Sequence, residues 1–191
     1  ASQGTTNLAG VRASVIARTQ ALGSDATALL ATAAVLGVEF TPDDLGVLSG
    51  RDSYEVFDIL YGAARSGLLV SQGPGFVFSH DLVTEALVAD TPEPLRVAVH
   101  RSIVRHATAL RLTPAVLAHH VMAAAMPDDV QSIDALCRAA ADVGNHDPHL
   151  ALTFLEHADA LCGPTCVRQV EVALRRAGAL CVLHRVTDAI D

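Results

Sequence analysis

The segment "LLVSQGPGFVFSHDLVTEAL", residues 68–87, changes its hydrophobic period within a few positions. Phe76 and Phe78 alternate with their neighbours, which is typical of a half-buried strand. The apolar residues between 82 and 87 then fall at helical spacing. Two short apolar runs around a Gly-Pro-Gly turn predict a β-hairpin. The segment therefore predicts a hairpin that leads straight into a helix, with His80 at the junction.

Helical segments surround this hairpin on both sides. Residues 1–10 are polar and weakly patterned, so we expect a frayed lead-in before a helix that starts at Val11. Helices are then predicted after Ser24, Thr41 and Ser53, because these residues suit the N-cap position. Glycines at 37, 50 and 67 suit the helix ends that follow. Three helices, a hairpin and a further helix are the order of a winged-helix domain.

The segment 53–67 is the fourth predicted helix. Its spacing predicts Tyr54, Phe57, Leu60 and Tyr61 on one face. In a winged helix this would be the helix that reads DNA, but only Arg65 is basic there, beside Glu55 and Asp58.

The second half of the chain predicts only helices, joined by brief Gly, Asp or Pro turns. Thr91 and Thr113 each precede a proline, as at a helix start. Residues 138–161 resemble a tetratricopeptide-type unit, with small residues where helices cross closely. We expect the first part of a longer array, with an apolar outer face on residues 166–184. The expected fold is mainly α, with a lead-in and linking helix over 1–24, a winged-helix domain over 25–110 and tetratricopeptide-like helical hairpins over 111–191.

Composition argues against several function classes. The formal charge is −8, and all 13 basic residues are arginine. An acidic chain lacks the cations that displace counterions from DNA phosphates, so we predict negligible binding to duplex DNA and no DNA contact by this chain. Without lysine no standard P-loop can form, and we expect no nucleotide hydrolysis, no catalytic residue and no cofactor in these 191 residues. No apolar stretch is long enough to span a bilayer, and the expected location is the cytoplasm.

The histidines and cysteines do not form a convincing ligand set. His119 and His120 are adjacent, so they diverge by about 100° on a helix. "CGPTC" at 162–166 has three residues between its cysteines, where a thioredoxin-like motif has two. A redox pair or half of a zinc site stays open, but reduced thiols and no metal site are the expectation.

Three segments together resemble a known family: "ALLATAAVLGVEFTPDDLGVLSG" (28–50), "ILYGAARSGLLV" (59–70) and "FVFSHDLVTEAL" (76–87). They look like the winged-helix part of STAND-class signal-transduction ATPases, and most of all the large ATP-binding regulators of the LuxR type. The resemblance covers roughly residues 11–110, and the later helices look like the start of the superhelical sensor region of that family.

The resemblance implies a regulatory role for this chain. In the wider class the junction reads Met-His-Asp, and its histidine contacts the β-phosphate of ADP and holds the protein closed. Ser79, His80 and Asp81 occupy these positions here, which carries the phosphate contact onto His80, with Asp81 setting the helix start and Ser79 in place of methionine.

The implied partners are the nucleotide-binding domain of the same chain, which would hold ADP or ATP with Mg, and an inducer or regulatory protein on the helical region. A homo-oligomer stays open, as do two other functions: the regulatory module of a cyclase or kinase fused to a similar ATPase, and a pure interaction scaffold. For His80 itself, position alone also allows a hydrogen bond to a neighbouring carbonyl.

Overall fold

The computed structural model describes residues 2–37, 39–124 and 127–188, and among them the side chains of residues 10, 12–37, 39–124 and 127–183. These residues form ten α-helices and one antiparallel hairpin, so the mainly α fold with a single hairpin is confirmed. The chain divides into two compact units, residues 1–110 and 111–191.

Unit 1 contains six helices and the hairpin. Its elements are α1 (Ser2–Ala21), α2 (Ser24–Leu36), α3 (Pro42–Ser49), α4 (Ser53–Arg65), β1 (Leu69–Gln72), β2 (Gly75–Phe78), α5 (Asp81–Asp90) and α6 (Glu93–Arg105). The expected lead-in over residues 1–10 is wrong for the described residues, because α1 is already helical at Ser2. This helix packs against α2 and α5, and Val15 and Thr19 are buried there. Tertiary packing thus supports the part of the helix that the sequence predicts from Val11 onward.

The hairpin has a third partner that the sequence did not reveal. Leu69 pairs with Phe78 and Gln72 with Gly75 across the two strands. On the other side of β2, Phe40 and Phe76 form an isolated antiparallel bridge, with N···O distances of 3.1 and 2.8 Å between their backbones. A Cβ atom at Gly75 would lie 2.7 Å from the Phe40 carbonyl oxygen, so the close approach requires glycine.

Most predicted helix ends lie within one or two residues of the observed ends. Thr41 caps α3 as predicted: its Oγ1 accepts from the Asp44 N–H, and the Asp44 carboxylate accepts from the Thr41 N–H. The N-cap of α4 is Asp52, where Ser53 was predicted, because the Asp52 carboxylate accepts from the Tyr54 N–H at 2.8 Å. Thr91 ends α5 and does not cap α6, whose N-cap is Pro92.

The helix α4 buries a different face from the one predicted. Val56, Leu60 and Ala63 are fully buried, whereas Tyr54, Phe57 and Tyr61 are exposed. Both sets have helical spacing, and the inward set is the one whose smaller aliphatic side chains fit against α2, α3 and β1. The prediction that Leu60 shares a face with Tyr54, Phe57 and Tyr61 is therefore wrong, because Leu60 points to the core and the three aromatic rings point outward.

Unit 2 is a run of four helices, in which each helix packs on the next: α7 (Pro114–Ala124), α8 (Val130–Val143), α9 (Pro148–Leu161) and α10 (Gln169–Asp188). The short connections between packed neighbours make consecutive helices antiparallel. Among the described side chains of this unit, seven of the fourteen buried apolar residues are alanines: 118, 124, 135, 139, 140, 151 and 158. Small side chains at these positions allow the helix axes to approach closely.

Candidate functional site

The junction between β2 and α5 is built by the backbone and by Ser79. The Ser79 N–H donates to the Leu68 carbonyl at 3.0 Å, and its hydroxyl donates to the Gly67 carbonyl at 2.8 Å. These bonds tie the end of the hairpin to the residues that lead into β1. Ser79 is thus an anchor for the position of the next residue, His80.

His80 is the N-cap of α5, with an extended backbone (φ −153°, ψ 147°). Its carbonyl accepts from the Val83 N–H at 2.9 Å, while its imidazole is exposed and makes no capping bond. The described residues provide no hydrogen bond to this imidazole, which rules out the bond to a neighbouring carbonyl in this conformation. The side chain is free to meet a group that approaches from outside.

Charges at this junction are mixed. The first turn of α5 presents backbone N–H groups without a side-chain cap, and the positive end of the helix dipole favours an anion. Asp81, the first residue of the helix, is exposed and places a carboxylate beside His80. The carboxylate stabilises the helix start but repels a phosphate. The junction can therefore contribute one contact to a phosphate, and other cations must hold most of its charge.

Unit 2 contains a cavity between its last three helices. This cavity of about 270 Å³ is lined by small residues of α8, α9 and α10, among them Ala140, Ala151 and Gly178. Its polar groups are few: the guanidinium of Arg175 bonds to Glu171 at 3.0 Å, and Cys137 is buried. Burial raises the pKa of the Cys137 thiol, which keeps it protonated and a poor nucleophile at neutral pH. No acid–base pair converges on this cavity among its lining residues.

The four cysteines are free thiols. Burial, and then a hydrogen bond with Cys166, raises the pKa of Cys162 to about 12. A thiol of this kind is not activated for exchange chemistry, in which the thiolate is the reacting form. The described residues contain no group of three or more His, Cys, Asp or Glu side chains that could hold a metal ion. His119 is exposed and His120 is buried, so this pair diverges as predicted.

Two exposed apolar faces lie outside the candidate junction. The sequence predicted a single apolar face on α4 without showing that its aromatic residues are exposed, and it predicted the other face only as an apolar surface over residues 166–184. On α4, Tyr54, Phe57 and Tyr61 are 78%, 44% and 54% exposed, and the rings of Phe57 and Tyr61 are stacked with centroids 6.1 Å apart. The second face is on and just before α10, where Val167, Val170, Leu174, Leu180, Cys181 and Val182 are exposed. For the described side chains, which end at residue 183, this second face confirms the apolar surface predicted for residues 166–184.

The ion pairs of unit 2 hold α10 from one side. Arg168 lies just before α10 and contacts Asp134 of α8, with Nε and Nη2 at 2.9 and 3.0 Å from the two carboxylate oxygens. It also pairs with Glu171, and Arg176 pairs with Asp159 of α9. The hydrogen bond from Arg175, followed by the charge of Arg168, holds the pKa of Glu171 below its ordinary value of 4.5. The charged residues of α10 are thus used in the fold together with the buried Val172, whereas Val170, Leu174, Leu180 and Val182 are exposed.

No family model, no curated protein and no solved structure matches this chain. In the described part of the chain, no helix has both the length and the apolar character needed to cross a membrane.

Proposed function

We propose that this chain is a regulatory part of a STAND-class ATPase of the LuxR type, which couples the nucleotide state of a neighbouring domain to a helical sensor region. The observation that carries this proposal is the exposed, unbonded imidazole of His80 at the start of α5. An imidazole there can donate to a phosphate oxygen while Ser79 keeps its backbone in place.

The winged-helix assignment of unit 1 belongs to this proposal. Its support is the element order: α2, the bridging residue Phe40, α3, α4, the hairpin and α5. Phe40 adds a third, one-residue strand position beside β2, which is where a winged helix places the strand between its first two helices. In unit 2, the packing of each helix on the next supports a tetratricopeptide-like sensor or oligomerisation region.

The proposed mechanism is a closed state held by a differential contact. In the ADP-bound form, His80 donates to the β-phosphate, and the nucleotide-binding domain supplies the remaining phosphate and Mg contacts. A charge-assisted hydrogen bond contributes about 1.5–3 kcal/mol. If this bond exists only in the closed form, its loss shifts the closed–open equilibrium by roughly ten- to a hundredfold.

The test uses the full-length protein, in which a nucleotide-binding domain is expected on the same chain. His80→Ala should increase the ADP dissociation rate by roughly ten- to a hundredfold and raise inducer-independent output. His119→Ala removes an equally exposed imidazole from unit 2 and serves as the matched control. Equal ADP dissociation rates for wild type and His80→Ala would contradict the phosphate contact. A full-length sequence without a P-loop would contradict the STAND assignment itself.

A second candidate is an interaction scaffold without nucleotide contact. The specific observation in its favour is the pair of exposed apolar faces, on α4 and α10, which a phosphate sensor does not need. A cyclase or kinase module is a third possibility, but no side-chain arrangement described above favours it. Two measurements on the His80→Ala variant distinguish the two leading candidates. A scaffold keeps its partners in this variant, and its output is independent of nucleotide.

A further inference from the structure

The exposed face of α4 combines features that the fold of unit 1 does not use. Tyr54, Phe57 and Tyr61 form an aromatic ridge on this face, which includes both tyrosines of the chain. The stack of Phe57 on Tyr61 already orders two of the three rings, so less side-chain freedom remains to be lost when the ridge is covered. Tyrosine and phenylalanine in such a position are characteristic of protein interfaces.

Two opposite charges lie on the same side of the helix as the ridge. Asp58 follows Tyr54 by four residues, and Arg65 follows Tyr61 by four, so helical spacing places both along the ridge. Both side chains are exposed, and the described residues provide no ion-pair partner for either. They stand seven residues apart, or roughly 10 Å along the helix axis.

Gly62 lies between these charges and next to Tyr61. Glycine inside a helix is unfavourable relative to alanine, so its presence needs a reason. The fold supplies none: a Cβ atom there would meet only the Leu22 Cδ2 atom at 3.9 Å, an ordinary contact, and the backbone is helical. What glycine does provide is the absence of a side chain at this half-buried position, next to the exposed ring of Tyr61.

We propose that α4 pairs with α4 of a second copy of this chain, antiparallel and about a two-fold axis between positions 61 and 62. Positions 58 and 65 are equally distant from that axis. Asp58 of each copy therefore lies opposite Arg65 of the other, which forms two equivalent ion pairs. Tyr61 of each copy covers Gly62 of the other, so the ring meets backbone and not a side chain.

This pattern fits a second copy better than another partner. A two-fold interface uses the same patch twice, so the patch must be complementary to itself. The C-terminal half of α4 meets this requirement, because Asp58 and Arg65 lie at equal distances from the point between Tyr61 and Gly62, where a large and a small residue are adjacent. Nucleic acid would bring phosphates against the carboxylates of Glu55 and Asp58. The pairing does not depend on the proposed function, since it involves neither His80 nor a nucleotide.

The test measures self-association of the 191-residue chain by sedimentation equilibrium. The wild type should show a reversible monomer–dimer equilibrium. Asp58→Arg and Arg65→Asp each place like charges opposite one another twice, and each should weaken association by about tenfold or more. The double variant Asp58→Arg/Arg65→Asp restores opposite charges in swapped order and should return to within about threefold of the wild type. Asp142→Arg and Arg138→Asp make the same charge changes on exposed positions of α8 and should leave association unchanged.

Gly62→Ala separates pairing from folding. The variant should melt at the same temperature as the wild type or higher, because alanine favours the helix, yet its dimer should be weakened. The proposal is overturned if the chain stays monomeric at roughly millimolar concentration. It is equally overturned if a dimer is unaffected by both single charge reversals, because the contact would then use another face such as that of α10.

Discussion

The two units of this chain build their cores from different side chains. Among the described side chains, unit 1 buries Phe40, Leu30, Leu45, Leu60 and Ile103 around a hairpin, and five of its twenty buried apolar residues are alanines. In unit 2, alanines are half of the buried apolar set, and Phe154, Ile133 and Leu136 supply most of the large side chains. We infer that large side chains fill the core of unit 1, whereas in unit 2 small side chains let the helices pack closely. The two units should therefore respond to opposite kinds of substitution.

The largest expected effect is the loss of a large side chain in unit 1. Phe40 is fully buried, and its ring lies 5.7 Å from that of Phe78. Phe40→Ala should reduce the free energy of unfolding by about 3–5 kcal/mol, from lost burial and the cavity left behind. Hydrogen exchange should report the loss in α2 to α5 and not in α8 and α9. Phe57→Ala, which removes a 44% exposed ring from the same unit, should cost about 1 kcal/mol or less. Equal costs for the two variants would contradict the volume-filling interpretation.

The opposite substitution should disturb unit 2. Ala139 on α8 is fully buried where neighbouring helices meet. Ala139→Leu should destabilise unit 2 by about 1–3 kcal/mol, because the added atoms force the helices apart. Thermal unfolding followed by circular dichroism, with hydrogen exchange to locate the change, provides the measurement. Ala160→Leu makes the same change at an exposed position of α9 and should be nearly neutral. A stabilised Ala139→Leu variant would mean that the helices are not closely spaced there.

The two units also differ in how strongly a threonine caps a helix, and the expected stability effect is smaller than that of core substitutions. Thr41 accepts from the Asp44 N–H at 3.2 Å within a reciprocal capping box, whereas Thr113 accepts from the Val116 N–H at 3.4 Å. Thr41→Ala should cost about 1 kcal/mol in unit 1. Thr113→Ala, before a proline in the same way, should cost less in unit 2. Denaturant unfolding of the two variants tests the order, and a larger loss for Thr113→Ala would reverse it.

The smallest expected effect is a pH dependence of unit 2. Because the pKa of Glu171 is lowered in the folded state, its stabilising contribution is present above its ordinary value of 4.5 and is lost as the pH falls below that value. Glu171 is 40% exposed in its side chain, so solvent screening keeps the effect small. Melting temperatures at pH 7 and pH 3.5 should differ less in Glu171→Gln than in the wild type. Glu156→Gln, an exposed acid on α9, should leave the difference unchanged.

Helix ends were predictable because their signals are local. Thr41, Pro42 and Gly50 bound α3 as their sequence suggests, and Gly37 ends α2 with a left-handed backbone (φ 73°). The hairpin was equally clear from its alternation and its Gly-Pro-Gly turn. The N-cap of α4 was misplaced by one residue because Asp52 and Ser53 are both suitable caps, and only the observed bond distinguishes them.

The position of His80 in the fold could be predicted from the sequence, but the hydrogen bonds that hold the junction around it could not. His80 was placed at a strand-to-helix junction from the change of period alone, and the structure places it there. That Ser79 anchors the junction through Gly67 and Leu68 required the fold, because these residues are twelve and eleven positions away along the chain. The exposed aromatic face of α4 was not predicted, because two sets of residues with helical spacing overlap in this segment. The spacing does not show which of the two sets is buried.

Most helices and the hairpin could be located from the sequence, since capping, turn formation and periodicity act over a few neighbouring residues; the start of α1 at Ser2 could not. Which side of each helix is buried follows from the tertiary structure and not from the local sequence. In α4 the aliphatic stripe faces the core and the aromatic stripe faces out. At α10, Arg168 and Arg176 pair with α8 and α9 and Val172 is buried, while four other large apolar residues of the helix are exposed. The physical reason is that burial depends on the shape of the surfaces that meet, and hydrophobicity along one segment does not contain that shape.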